Sequence, residues 1–478
     1  MNQLGHRIMN SWVSMGPRFM PFADITSEDL TMSRLLRLSM FQVSAGMALV
    51  LLVGTLNRVM IVELGVPAAI VGIMIALPLV FAPFRALIGY RSDTHRCELG
   101  WRRVPFIWKG TLYQFGGFAI MPFALLVLAG KGESGSAPVW IGQCTAALSF
   151  LLVGGGVHTV QTAGLALCTD ITPPKSHARV VGLMYVMLLV GMIVSALAFG
   201  VALEKFSPGR LVQVIQTAAV LTVALNMIAM WKQEARRPRH GRPAPPPDPT
   251  FREAWANFCS GEDAVRRLVV VGIGTMAFGM ADILLEPFGG QVLHMNVAAT
   301  TKLTALLAFG GLLGFAYASY ALGRGANAYR MTRNGALLGL PAFALVILAA
   351  RLNTPALFLI GNFLVGFGGA LFGHATLTAC MSRAPEKQAG LALGAWGAVQ
   401  ATAAGIAVAM SGSLRDAVNM VMGGARDAFG FSAEAAGYIT VYALEIGLLL
   451  VTIAAAIPLI KRRSTSKAAP HSKQRLSA

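Results

Sequence analysis

NRVMIVELGVPAAIVGIMIALPLVFAPFRALIGYRSDTHRCELGWRRVPFIWK, residues 57–109, decides the class of this chain. An apolar run long enough to cross a bilayer lies between a polar edge, Arg58 and Glu63, and a loop carrying Arg91, Asp93, His95, Arg96, Glu98, Arg102 and Arg103. A soluble core helix has no use for such a run, and a membrane hairpin does. Working outward, apolar windows fall at roughly 34–62, 66–90, 104–130, 138–168, 178–203, 210–231, 267–292, 300–322, 335–350, 355–380, 388–411 and 436–460. Measured against the ~20 residues a spanning helix needs, they predict twelve transmembrane helices and an all-α polytopic membrane protein.

Composition agrees. The chain is 55% hydrophobic and 13% charged, with mean hydropathy +0.63. That charged fraction is half the ~25% of soluble domains. A net charge of +18 on a soluble chain would suggest nucleic acid. Here the Lys and Arg residues sit in loops without interleaved aromatics, so anionic lipid is the expected acidic partner and nucleic acid is not. Cys97, Cys144, Cys168, Cys259 and Cys380 form no CxxC pair and imply neither a disulfide framework nor a zinc site. The first thirty residues lack a continuous apolar core, so they do not read as a cleavable signal, and Leu4 to Val13 reads as a short interfacial helix.

Between the sixth and seventh windows, RRPRHGRPAPPPDP (residues 236–249) marks a polar linker that cannot cross a membrane. The expected organisation is an N-terminal segment (1–33), a six-helix bundle (34–231), a linker (232–266), a second six-helix bundle (267–460) and a basic tail (461–478), read as a disordered strip on the lipid surface or, more simply, as a stop-transfer anchor. An internal repeat supports two halves. Leu152-Val153-Gly154 and Cys168 recur at one constant offset as Leu364-Val365-Gly366 and Cys380. Counting charge orients the chain. With odd-numbered links outside, only Arg58, Lys131, Lys205, Arg210, Lys302, Arg351, Arg415 and Arg426 of the 39 basic residues lie outside. Both termini are therefore expected in the cytoplasm.

Gly89-x3-Asp93 followed by Gly100-Trp101-Arg102-Arg103 resembles the loop between helices 2 and 3 of the major facilitator superfamily. That likeness implies two pseudo-symmetric six-helix bundles and a loop in which Gly89, Asp93, Gly100, Arg102 and Arg103 lock helix ends. The longer blocks LNRVMIVELGVP, LPLVFAPFRALIGYRSDTHR, LGWRRVPFIWKGTLYQFGG and DILLEPFGGQVLHMNVAATTKLTA are narrower. They resemble the light-harvesting complex assembly proteins of purple phototrophic bacteria, the PucC and LhaA group or bacteriochlorophyll delivery family, over nearly all of residues 30–460. Length and extended terminal segments look more like the core-antenna (LhaA) branch than the peripheral (PucC) branch. The resemblance implies a non-enzymatic factor that supports insertion of light-harvesting antenna α and β polypeptides and their loading with bacteriochlorophyll. Its implied partners are the core reaction-centre complex, bacteriochlorophyll synthase and the protein-insertion machinery. A secondary transporter and a pigment-free scaffold are the competing readings.

No Walker sequence, nucleophile elbow or HExxH motif is present. Gly154-Gly155-Gly156 lies mid-helix and reads as close helix packing. The candidate cavity residues are polar groups at bilayer depth. Asp282 and Glu286 lie four apart on one face of the seventh window, before Pro287-Phe288-Gly289-Gly290, which should weaken or break that helix. Arg58 is expected to face Glu286 as its counter-charge, through the repeat and the facing helices of the fold. His158 and His374 fall inside apolar windows and are candidate magnesium ligands for bacteriochlorophyll, with Thr159, Thr162 or Thr376 holding the other ring nitrogen. Their simpler role is that of hydrogen-bonded core residues.

Overall fold

In the computed structural model, residues 31–80, 88, 91–92, 101–130, 137–172, 177–234, 263–381, 389–422 and 433–467 are described. Gly89, Asp93, Gly100, the Leu4–Val13 segment and most of the linker lie outside them. The described residues form helices α1 Met32–Glu63, α2 Ala68–Val80, α3 Val104–Leu128, α4 Val139–Ile171, α5 His177–Ala202 and α6 Pro208–Met230. The second half has α7 Ala264–Gln291, then α8 Val297–Gly323, α9 Ala328–Leu352, α10 Pro355–Met381, α11 Ala389–Met422 and α12 Ala433–Lys467. No strand occurs among the described residues. Eleven of these helices are long and apolar enough to span a membrane, and the 13 described residues of α2 end at the edge of the described segment.

Short polar side chains start the helices. Asn296 accepts from the Ala299 N–H at 2.8 Å at the head of α8, and Asn327 from the Tyr329 N–H at 2.9 Å at the head of α9. Each replaces a bond that the helix cannot make internally. At the head of α2 the Ala69 N–H donates to the Asp416 carboxylate of α11 at 2.7 Å, so one half caps a helix of the other.

Packing repeats between the halves. α1 packs on α5 and α6, α2 on α4, and α3 on α4 and α6; correspondingly α7 packs on α11 and α12, α8 on α10, and α9 on α10 and α12. Across the halves α2 meets α11, and α5 meets α8. That is the pseudo-symmetric pair of six-helix bundles the sequence predicted. Of the glycine run in α4, Gly154 faces the Pro78 ring of α2 and Gly156 faces the Gly110 carbonyl and Gln114 of α3. A side chain at either would hold the helices apart, so the packing reading is the right one at those two positions.

Three expectations need correcting. The predicted linker begins with ordered structure: Glu234 accepts from the N–H groups of Arg102 at 2.7 Å and of Arg103 and Val104 at 3.0 Å, capping α3. Beside it Arg34 donates to the Gln233 side chain and carbonyl at 3.2 and 2.8 Å. The basic tail is not disordered from its start, because α12 continues to Lys467; Lys and Arg in a last turn complement the helix dipole. Finally, α7 does not break at Pro287–Gly290. It is helical over Ala264–Gly279, passes through a 3-10 turn at Ala281–Ile283 and resumes over Leu285–Gln291. Pro287 is tolerated in a first turn, and its ring conflicts with the carbonyl four residues earlier, which puts the break at 280–284.

Candidate functional site

The α7 break sets the geometry of the site. Pro287 has no N–H to give the Ile283 carbonyl, so that carbonyl is left without its helical partner. The Asn57 side-chain amide of α1 supplies the bond at 2.7 Å, across the interface between the halves. Thr55 and Thr301 hydroxyls meet at 3.4 Å, and Arg58 donates to the Met295 carbonyl at 3.2 Å. Together with the Asp416 cap on α2, these bonds join the halves at the end opposite the one that carries Arg34, Arg102 and Arg103.

Helix α1 is unusual there. Residues Val50–Leu56 and Val59–Glu63 wind as π-helix, which bonds residues five apart. The winding brings Arg58 and Glu63 onto one face, and they form an ion pair with the Arg58 side chain 4% exposed. Arg58 therefore pairs directly with Glu63 and reaches Glu286 only at longer electrostatic range, not as the direct pair expected. The Arg58 guanidinium lies against Gly290, a turn of α7 beyond Glu286, and is occupied by Glu63 and Met295. Glu286 is buried, with one oxygen taking the Thr304 hydroxyl of α8 and the other unpartnered. A Cβ added at Gly54 of α1 would stand 2.5 Å from that Glu286 carboxylate, so glycine is what permits the approach.

Asp282 is open to a cavity of about 160 Å³ between the halves, bordered by Leu49, Val53, Gly54, Met192, Thr304 and Leu307. Asp282 opens to this cavity, whereas Glu286, beyond the break, is turned toward Thr304. Behind the break, α12 contributes Glu445, fully buried, with its carboxyl beside the Ala281 amide and within electrostatic reach of Asp282. Phe288 is held among Phe358, Tyr438 and Tyr442, at ring distances of 5.2 to 5.6 Å. The Tyr438 hydroxyl and Arg415 both donate to Gln291 at 2.6 Å, and Arg415 pairs with Asp416. Among the described residues no three His, Cys, Asp or Glu are gathered to hold a metal ion.

The histidines are not part of this cluster. His374 of α10 shares a 3.2 Å hydrogen bond between Nε2 and the Ser319 hydroxyl of α8, and its ring lies 4.3 Å from that of Phe315. Its Nδ1 is buried without a partner. His158 is half-buried on α4, in the other half. The threonines expected to orient the rings bond elsewhere: Thr159 to the Gly155 carbonyl and Thr162 to the His158 carbonyl, both at 2.7 Å, and Thr376 to the Gly373 carbonyl at 2.9 Å. For His374, Ser319 occupies Nε2 itself, and the other ring nitrogen is held by no hydroxyl. In the loop motif, Arg103 donates to Asp170 at 3.0 Å and to Ser92 at 2.5 Å, tying the head of α3 to the foot of α4. Arg102 contributes its backbone N–H to Glu234.

Asn57, Thr304, Ser319 and Glu234 were not singled out from sequence, and Glu445 stood out only as one of three acids, with Asp282 and Glu286, inside the helices. A signal existed for Asn57: a proline within a helical run announces an orphan carbonyl four residues before it. A second, open groove of about 710 Å³ lies at the basic end between α1, α3 and α6, lined by Trp101, Trp108, Met227, Met230, Trp231 and Lys232 among others.

A family model described as PUCC protein matches residues 55–464. The chain is 62% identical to "Protein PucC" of Rhodovulum sulfidophilum, over 88% of this chain and 93% of that protein. It is 55% identical to "Protein PucC" of Cereibacter sphaeroides, over 95% and 98%. To the "Uncharacterized protein in puhA-bchM intergenic region" of Rhodobacter capsulatus it is 47% identical, over 94% and 93%. Among solved structures, a bacterial homologue of the human lysosomal transporter Spinster, inward-facing and occupied, superposes with TM-score 0.65 at 14% identity, over 91% of this chain and 98% of that one. At that identity the likeness concerns the fold alone, a major facilitator fold.

Proposed function

The chain belongs to the PUCC protein family, and from that membership we propose that it is an assembly factor for a light-harvesting antenna of a purple phototrophic bacterium. In this reading it supports insertion of antenna α and β polypeptides and delivers bacteriochlorophyll to them, without catalysing a reaction. The observation that carries it is the 62% identity to a PucC protein across most of both chains. Relatives of that name at 55 to 62% identity, against 47% for the intergenic-region protein, weigh toward the peripheral-antenna branch. Length and terminal segments had pointed to the core-antenna branch.

The cavity chemistry is compatible with this. The space between the halves is bordered mainly by apolar side chains, and at about 160 Å³ it falls below the ~300–1,000 Å³ of ordinary ligand pockets. A pigment or an antenna helix would therefore be received on the membrane-facing surface, where α8 and α10 carry Ser319 and His374. The His374 Nε2 is the atom that would bind magnesium, and it would first have to leave Ser319. At the basic end, Lys232 and the tryptophans of the open groove suit an anionic lipid headgroup. Both termini would then lie in the cytoplasm, with core complex, bacteriochlorophyll synthase and insertion machinery as neighbours.

Deletion of the gene, followed by absorption spectra of the membranes, tests the proposal. Loss of peripheral antenna with core antenna retained is the expected result. Loss of core antenna instead would assign the chain to the core branch, and normal amounts of both would overturn the assembly role.

A further inference from the structure

The acids at the α7 break lack what buried carboxylates need. Glu445 is 0% exposed, and neither of its oxygens makes a hydrogen bond of good geometry. Tyr442, one turn before it on α12 and also fully buried, has a hydroxyl without a hydrogen-bond partner that lies within electrostatic reach of Glu445. Asp282 shares this neighbourhood from the α7 side and opens to the inter-half cavity. Two ionised carboxylates so placed would repel across an apolar interior, with only the Ala281 amide to offset the desolvation of Glu445.

Among the described residues no cation is placed to neutralise them. Helix α7 carries no charge between Arg267 and Asp282, α9 none between Arg333 and Arg351, α11 none from Ala389 to Leu414, and α10 none. The one charge in α12 between Glu434 and Lys461 is Glu445 itself. Lys302 of α8 lies across Gly200 of α5. Arg58 is held by Glu63 and Met295, and Arg415 by Asp416 and Gln291. The other titratable neighbours are Glu286, bonded to Thr304, and Tyr438, bonded to Gln291. A metal ion is a poor substitute, since no trio of ligating side chains is gathered among the described residues.

We propose that Asp282 and Glu445 form a proton-binding site at the α7 break, in which at least one of the two carries a proton and Asp282 exchanges protons with the inter-half cavity. Glu445 is the reservoir, sealed by α7 and α12, and Asp282 is the only one of the two that water in the cavity reaches. Loss of the proton would place uncompensated charge beside the Ile283–Asn57 bond. Protonation of this site is therefore linked to how firmly the halves are joined. The site stands on this geometry and not on the assembly reading.

The test uses the purified full-length protein. Dicyclohexylcarbodiimide, which modifies protonated carboxyls in apolar surroundings, is applied at neutral pH and the adduct is mapped by mass spectrometry. Infrared spectra in H2O and D2O report the carbonyl stretch of a protonated carboxylic acid. An adduct on Asp282 or Glu445 is expected, together with a deuterium-sensitive band that is lost in the Asp282→Asn/Glu445→Gln double variant. An adduct confined to Glu286, or none on any of the three, overturns the proposal, as does a folded double variant whose band equals the wild type's. Should the double variant not fold, the wild-type adduct map decides alone.

Discussion

The Asn57 amide and the Ile283 carbonyl meet at 2.7 Å because Pro287 cannot. A hydrogen bond that an uninterrupted α7 would make within itself is instead made between the two halves of the molecule. Asn57→Leu should leave a buried carbonyl unsatisfied and lower thermal stability in detergent by roughly 1–3 kcal/mol. Pro287→Ala returns an N–H to the position that can serve Ile283. In that background Asn57→Leu should cost measurably less, and an unchanged cost would show that the proline does not cause the cross-half bond.

Gly54 and Glu286 make a second contact between halves that depends on the absence of a side chain. Gly54→Ala places a methyl group 2.5 Å from the carboxylate and 2.9 Å from the Thr304 hydroxyl. Overpacking of this kind costs roughly 1–3 kcal/mol. A double-mutant cycle with Glu286→Ser should recover most of the loss, since the shorter side chain vacates the space. Thermal-shift midpoints of the four proteins supply the cycle.

Arg58 pairs directly with Glu63, and with Glu286 only at longer electrostatic range. Removing Glu63 strands a nearly fully buried guanidinium, so Glu63→Ala should reduce the yield of folded protein. Arg58→Met added to Glu63→Leu should restore it, because an apolar pair of similar size needs no neutralisation. Adding Arg58→Ala to Glu286→Ala should give no such rescue. Monodisperse yield on size exclusion distinguishes the two pairs, and rescue in the second would reinstate the Arg58–Glu286 clamp.

The difference between these pairs shows what the sequence could carry. Twelve apolar windows, the repeated Leu-Val-Gly and the polar linker determine the fold, since each is a local pattern with one solution in a bilayer. The α4 glycines were readable for the same reason: small residues in a packed helix have few uses. Arg58 was misassigned because its partner depends on α1 winding as π-helix, and no residue type encodes that register shift. Glu445 was legible as an intramembrane acid but not as a site residue, since a lone acid in a helix has no visible neighbour. Its relation to Asp282 exists only once α7 and α12 are packed.

Glu234 shows that the nominal linker begins as part of the N-terminal bundle. Its carboxylate accepts three backbone N–H groups at the head of α3. Glu234→Ala should cost roughly 1–2 kcal/mol, the range for loss of a helix cap. Glu234→Gln retains an acceptor and should recover part of that. Denaturation of the purified protein would show the order wild type, Gln, Ala. Equal stability of all three would mean that water replaces the cap without loss.

For pigment contact, His374 and His158 make opposite forecasts. The His374 Nε2 is opposed by a single neutral hydroxyl at 3.2 Å, and its ring rests on Phe315, an apolar surface on which a macrocycle could be accommodated. Exchanging a hydroxyl contact for a magnesium bond is a small rearrangement of the kind a transient pigment site requires. Ser319→Ala removes the competing contact and should raise the bacteriochlorophyll that co-purifies with the protein. His374→Phe should abolish it while leaving the fold intact, since the ring is half-buried and its helix contacts are apolar. His158→Phe should leave pigment unchanged. Pigment absorbance per folded molecule, measured without antenna subunits present, checks all three. Retention of full pigment in His374→Phe would remove the histidine from the pathway and confine its role to packing α10 against α8.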